Sequence, residues 1–124
     1  MSEINVLIVD DEEELVSTLA ERLSLRAIRT QTATDGEVAL KMIEKEPPDV
    51  VLLDVMMPGL GGLEILKRIN AMDLNIPVIL LTGYGSTEQS NEGMNLGAYD
   101  YVLKPCDFGG LVAKIHEAVQ SKQK

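Results

Sequence analysis

Apolar residues in this chain gather into two kinds of run. Short, nearly unbroken runs span Ile4 to Val9, Val50 to Leu53, Ile76 to Leu81 and Tyr99 to Leu103, and each predicts a strand. Val50 to Leu53 contains no polar residue, as expected of a strand covered on both faces of a parallel sheet. Between these runs, apolar residues recur at helical spacing. Leu15, Val16, Leu19 and Leu23 form one stripe, and Ala39, Met42 and Ile43 a second. Ile65, Leu66, Ile69 and Met72 form a third, and Leu111, Val112, Ile115, Ala118 and Val119 a last. Ala27 to Ala33 alternates weakly and is polar, which predicts an edge strand.

One segment fits its place in the order but not its composition. Ser86 to Gly97 should be a helix, yet it holds Ser90, Asn91, Gly93 and Asn95 and has a thin apolar side. Each such residue costs a few tenths to about 1 kcal/mol of helix propensity, which predicts a poorly anchored, mobile element.

Breaks in the pattern agree with these elements. Glu12, Glu13 and Glu14 crowd the first turn of the first helix, where the helix dipole favours anions. Asp35 caps the second helix, and Pro47-Pro48 end it. Pro58 to Gly62 turns the chain out of the central strand. Asp107 opens the last helix, although Gly109-Gly110 weaken its first turn by roughly 1–2 kcal/mol. The tail from Gln120 to Lys124 is polar and should fray.

Strand and helix thus alternate five times over 124 residues. Such alternation predicts an α/β domain, a parallel sheet with helices on both faces and right-handed crossovers. Residues 1–124 read as one domain, without repeat or linker. Met1 and the polar tail favour a stand-alone chain over an excised piece.

Composition narrows the function. Net charge is −9, which argues against nucleic acid or an anionic membrane as direct partner. The single Cys106 can form neither an internal disulfide nor a cysteine-based metal cluster. No apolar run approaches membrane length, so a cytoplasmic setting is the default expectation.

The chemistry lies where the strands end. The first strand ends at Asp10 and Asp11, the third at Asp54, the fourth at Thr82 and the fifth at Lys104. Open parallel sheets place their ligand crevice at these carboxyl ends. A single acid at a strand end is more often a helix cap than a ligand, but capping alone does not produce five polar residues at four strand ends on one rim. Three carboxylates at close range repel one another and call for a cation. Oxygen ligands without nearby His or Cys suit Mg²⁺ or Mn²⁺. A lysine and a hydroxyl opposite the metal can neutralise and orient a phosphoryl group. The rim reads as a phosphoryl-transfer site with Asp54, on the most buried strand, as nucleophile.

Val9-Asp10-Asp11, Leu53-Asp54-Val55-Met56-Met57-Pro58-Gly59, Leu81-Thr82-Gly83 and Tyr101-Val102-Leu103-Lys104-Pro105 occur in order at these strand ends. On these pieces the whole chain resembles the receiver domain of two-component response regulators, the chemotaxis-regulator-like fold. The resemblance implies a doubly wound five-stranded sheet of order 2-1-3-4-5, a flavodoxin-like three-layer sandwich with five helices. It implies that Asp54 accepts a phosphoryl group from a histidine kinase, a histidine phosphotransfer protein or a small acyl phosphate. Asp11 and Asp54 would ligate Mg²⁺ with the Met56 carbonyl oxygen, and Asp10 would act mostly through water. Lys104 would pair with the phosphoryl oxygens, Thr82 would hydrogen-bond the phosphorylated form, and Tyr101 would rotate inward. The Lys104-Pro105 bond would be cis. The fourth helix, fifth strand and fifth helix would face a downstream effector, in a monomer or a phosphorylation-dependent dimer. Such a protein catalyses only its own phosphorylation and dephosphorylation.

The chain departs from the family pattern in places. Met56 and Tyr84 stand two residues beyond Asp54 and Thr82, where side chains flank the attacking water in the family. Both are bulky, which predicts a long-lived phosphorylated form. Gly61-Gly62 leaves the third helix without a side-chain cap. Cys106 reads as a small hydrophobe, and His116 as a solvated residue rather than a phosphoacceptor.

Other readings fit less well. A Mg²⁺-dependent phosphohydrolase with an Asp nucleophile would want an acid where Met56 stands, and a substrate cap for which 124 residues leave no room. An FMN carrier would need a hydroxyl- and glycine-rich loop where the chain has Asp10 to Glu14. A docking module that has lost phosphorylation would not need the intact acids, Thr82 and Lys104.

Overall fold

A computed structural model describes residues 3–57, 61–83, 87–104 and 107–122. Its elements alternate as expected: β1 (Ile4–Val9), α1 (Glu13–Ser24), β2 (Ile28–Ala33), α2 (Gly36–Lys45), β3 (Val50–Asp54), α3 (Gly62–Ala71), β4 (Val78–Thr82), α4 (Thr87–Asn95), β5 (Asp100–Leu103) and α5 (Phe108–Lys122). All strand pairs are parallel, in the order β2-β1-β3-β4-β5. This is the doubly wound sheet that the resemblance implies, with β3 at its centre and β2 at one edge.

Alternation along each strand feeds two cores. Val6, Ile8, Val50 and Leu52 point to one face, where Val16, Leu19 and Leu23 of α1 meet Leu111, Ile115 and Ala118 of α5. Leu7, Val9, Val51 and Leu53 point to the other, against Ala39 and Ile43 of α2 and Ile65, Leu66 and Ile69 of α3. Every residue of β3 is buried, because helices cover both faces. That is why its sequence shows no alternation. The sheet is a rigid base, and its carboxyl ends converge on one rim.

The caps follow the chemistry of their residues. Asp35 Oδ1 accepts the Glu37 and Val38 N–H groups at 2.8 and 3.2 Å. Asp107 Oδ2 accepts the Gly110 N–H at 2.9 Å. A methyl group at Gly110 would crowd that carboxylate at 3.1 Å, so the glycine fits the cap that it was expected only to weaken. The helix continues through Gln120 and Ser121, further than the polar tail suggested. Ser121 Oγ bonds back to the Ala118 carbonyl at 2.8 Å.

The fourth helix has the thin apolar side expected of it. Its buried residues are Ser90 and Gly93. A Cβ at Gly93 would lie 2.3 Å from Leu80 Cδ1, so the absence of a side chain lets the helix lie close on β4. Gly93, which lowers its propensity, thus makes its close approach to the sheet. The Pro58-Gly59 turn, Tyr84, the Lys104-Pro105 bond and Cys106 lie outside the described residues.

Candidate functional site

Three carboxylates meet at the rim between β1 and β3. One oxygen from each of Asp10, Asp11 and Asp54 lies within 4.8 Å of the others. Their environments differ. Asp10 is fully buried, Asp54 is 6% exposed and Asp11 is solvent-facing. Asp10 Oδ1 accepts the Glu12 N–H at 3.0 Å, which fixes the carboxylate against the loop into α1. Asp10 Oδ2 is buried and faces the Lys104 ammonium. Asp54 Oδ1 accepts the Met56 N–H at 3.1 Å.

A close approach of backbone holds the loop after Asp54. The Gly62 N–H bonds to the Val55 carbonyl at 3.2 Å. A Cβ at Gly62 would sit 2.3 Å from the Asp54 carbonyl oxygen, so only glycine fits there. Gly61, with φ +82°, enters α3 without a side-chain cap, as the sequence indicated. Glycines here let α3 start directly behind the acid.

Lys104 is the cation of the rim. Its Nζ lies 2.7 Å from Asp10 Oδ2, 3.2 Å from Glu12 Oε1 and 3.7 Å from Asp54 Oδ2. Burial works to lower its pKa, but the facing carboxylates outweigh that and raise it. For Asp54, burial dominates. It pushes the carboxyl up to about 6, helped by the Asp10 charge and opposed by the Met56 N–H and Lys104. One ammonium therefore faces an excess of negative charge, with Asp10 and Asp54 buried beside it. Three carboxylates that offer only oxygen ligands within 4.8 Å of one another suit a hard divalent cation.

Thr82 and Tyr101 lie on the neighbouring strands. Thr82 is fully buried, and its hydroxyl donates to the Val102 carbonyl at 3.3 Å. Tyr101 is 40% exposed on β5, near the exposed Leu103. Met56, 59% exposed, stands beside the site. Glu12 is the residue that sequence reasoning missed. It was explained by the helix dipole, yet its side chain reaches Lys104. The available signal was its position at the N-cap of α1, where glutamate is a poor cap.

The sequence profile described as "Response regulator receiver domain" matches residues 6–116. The chain belongs to that family. The receiver is 40% identical to sporulation initiation phosphotransferase F of Bacillus subtilis, with 93% of this chain and 90% of that protein covered. It is 38% identical to the regulatory protein AtoC of Escherichia coli over 97% of this chain but only 26% of that protein. Several relatives are thus much longer than the receiver, which spans less than half their length. Among solved structures, a response regulator receiver domain protein from Clostridium thermocellum superposes with a TM-score of 0.92 at 29% identity, covering 97% of each chain. The receiver is a module of two-component signalling. No helix among its described residues is long and apolar enough to cross a membrane.

Proposed function

We propose that the receiver accepts a phosphoryl group on Asp54 from a histidine kinase or histidine phosphotransfer protein and switches a protein-binding face in response. The observation that carries this reading is the placement of Asp54. It is a nearly buried carboxylate at the end of the central strand, with Asp10 and Asp11 beside it and Lys104 facing it. The similarity to a protein named a phosphotransferase supports the same reaction.

In this mechanism an Asp54 carboxylate oxygen attacks phosphorus. The bond from phosphorus to the donor's histidine nitrogen, or to the oxygen of an acyl phosphate, breaks with its electron pair leaving on the donor. Asp11 and Asp54, with the Met56 carbonyl oxygen, would hold Mg²⁺ or Mn²⁺, and Asp10 would act through water. A cation held there would supply positive charge to neutralise phosphoryl oxygens. Lys104 pairs with the phosphoryl group. The Met56 N–H already fixes one Asp54 oxygen, which leaves the other as nucleophile.

The switch follows from the bonds of the resting state. The Thr82 hydroxyl leaves the Val102 carbonyl for a phosphoryl oxygen, a stronger charged acceptor. Tyr101, half exposed at rest, turns inward. The face of α4, β5 and α5, where Met94, Tyr101 and Leu103 are exposed, then presents a new surface to an effector or a second copy. Such a protein works in the cytoplasm and turns over no separate substrate.

The test is intact mass after treatment with acetyl phosphate, with and without Mg²⁺, on wild type and Asp54→Ala. A labile addition of one phosphoryl group that needs both Mg²⁺ and Asp54 is expected. Addition to the Ala variant would reject the assignment. Decay of that species tests the tuning residues. Met56 and Tyr84 hinder in-line water, so Met56→Asn with Tyr84→Glu should shorten the lifetime.

A further inference from the structure

The Lys104 ammonium is not centred on Asp54. It is closer to Asp10, at 2.7 Å, and to Glu12, at 3.2 Å, than to Asp54, at 3.7 Å. The Glu12 contact is a hydrogen bond across 92 positions of the chain. Glu12 is the N-cap residue of α1, yet its side chain makes no cap bond. The helix start is served by backbone and by Asp10 instead. The Glu12 N–H bonds Asp10 Oδ1 at 3.0 Å, and the Glu12 carbonyl accepts the Val16 N–H at 3.0 Å. These bonds leave the Glu12 carboxylate free to reach the lysine.

We infer that Glu12 is a resting-state latch for Lys104, a positioning residue that holds the ammonium off Asp54 until a phosphoryl group competes for it. The inference rests on Asp54 being the phosphoacceptor. An ammonium has three N–H donors, and phosphoryl oxygens on Asp54 must recruit at least one. Asp10 is fully buried, so giving up its cation would strand a buried charge. The Glu12 side chain is 61% exposed, and water replaces the lysine there at little cost. The Glu12 bond is therefore the one that opens. Its hold is a modest brake on phosphoryl transfer, set by an acid outside the cation cluster.

The experiment measures initial rates of Asp54 phosphorylation by acetyl phosphate at saturating Mg²⁺, read by intact mass on the full chain. Glu12→Gln keeps the size of the side chain and removes its charge. It should raise the maximal rate about two- to fivefold, the factor of one solvent-exposed ion pair, with the half-saturating donor concentration unchanged. Glu13→Gln removes an equal charge one residue away and should leave the rate at the wild-type value. In a Lys104→Gln background, Glu12→Gln should change nothing, because the latch acts only through the lysine. A Glu12→Gln rate at or below wild type would overturn the latch. So would an equal gain in Glu13→Gln, or a gain that persists without Lys104. If wild type itself took up no phosphoryl group, the Asp54 reading would fall and the latch with it. Uptake by wild type without a Glu12 effect would remove the latch alone.

Discussion

Two lysine–aspartate contacts in this molecule have similar distances and opposite character. Lys114 Nζ lies 2.6 Å from Asp100 Oδ2 on the β5–α5 side, and Lys104 Nζ lies 2.7 Å from Asp10 Oδ2 at the rim. In the first, each side chain is about a third exposed, and one ammonium meets one carboxylate. Burial nudges Asp100 up, but the Lys114 bond and the Tyr101 N–H outweigh it, so both members favour their charged forms. In the second, one lysine serves three carboxylates, two of them nearly or fully buried, and Asp54 is pushed up to about 6. A balanced, wet pair holds an edge strand to a helix. An unbalanced, largely buried cluster is poised for an added cation or phosphoryl group. The difference lies in burial and charge count rather than in contact distance.

The sharpest way to break this comparison is to remove each lysine in turn. Lys104→Met strands the buried Asp10 charge and should cost about 3–5 kcal/mol of unfolding free energy at neutral pH, measured by urea titration. A loss below about 1 kcal/mol would mean that the rim is as well solvated as the outer pair.

Asp54→Asn gives the next largest effect, with the opposite sign. The Asp54 carboxyl titrates at about 6 in the fold against 3.8 in the unfolded chain. The folded state therefore binds the proton more tightly. Its contribution to stability is fully present below about 3.8 and is lost as pH rises through about 6. The Asn variant escapes this loss, so it should exceed wild type by up to about 3 kcal/mol above neutrality and match it near pH 3.5. Mg²⁺ should narrow the gap by stabilising wild type, by about 2.7 kcal/mol at a hundred times its Kd. A gap that does not vary with pH would place the Asp54 charge in a solvated site.

Much of this was legible in the sequence, because most of it is periodicity. The unbroken run of β3, the stripes of the helices and the polar strand ends needed no partner to be interpreted. Gly93 was read as a poor helix former because its meaning depends on Leu80 across the interface. A small residue on a helix face marks either weakness or close approach, and only the opposing surface decides. Glu12 was hidden for the same reason. Its acid had a sufficient local explanation in the helix dipole, while its partner lies at the far end of the chain. The resting bond of Thr82 to Val102 needed the β4–β5 register, which pairs Thr82 with Leu103 and leaves the Val102 carbonyl within reach. Gly61-Gly62 was read only as a missing cap, whereas Gly62 marks a collision with the Asp54 carbonyl.

The smallest effect belongs to the outer pair, and its pH dependence runs against that of the rim. Asp100 is lowered in the fold, so its contribution is present above the ordinary carboxylate range and is lost as pH falls through its folded value. Lys114→Ala should cost only about 0.2–1 kcal/mol at neutral pH, because both side chains are partly hydrated and the pair is screened by salt. That cost should shrink in 1 M salt and as Asp100 protonates below its folded value. The Lys104→Met cost, set by a buried charge, should hardly respond to salt. Urea titrations of both variants at low and high salt make the comparison direct. If the two losses fell equally with salt, both contacts would be surface pairs, and the rim would lose its claim to a distinct electrostatic state.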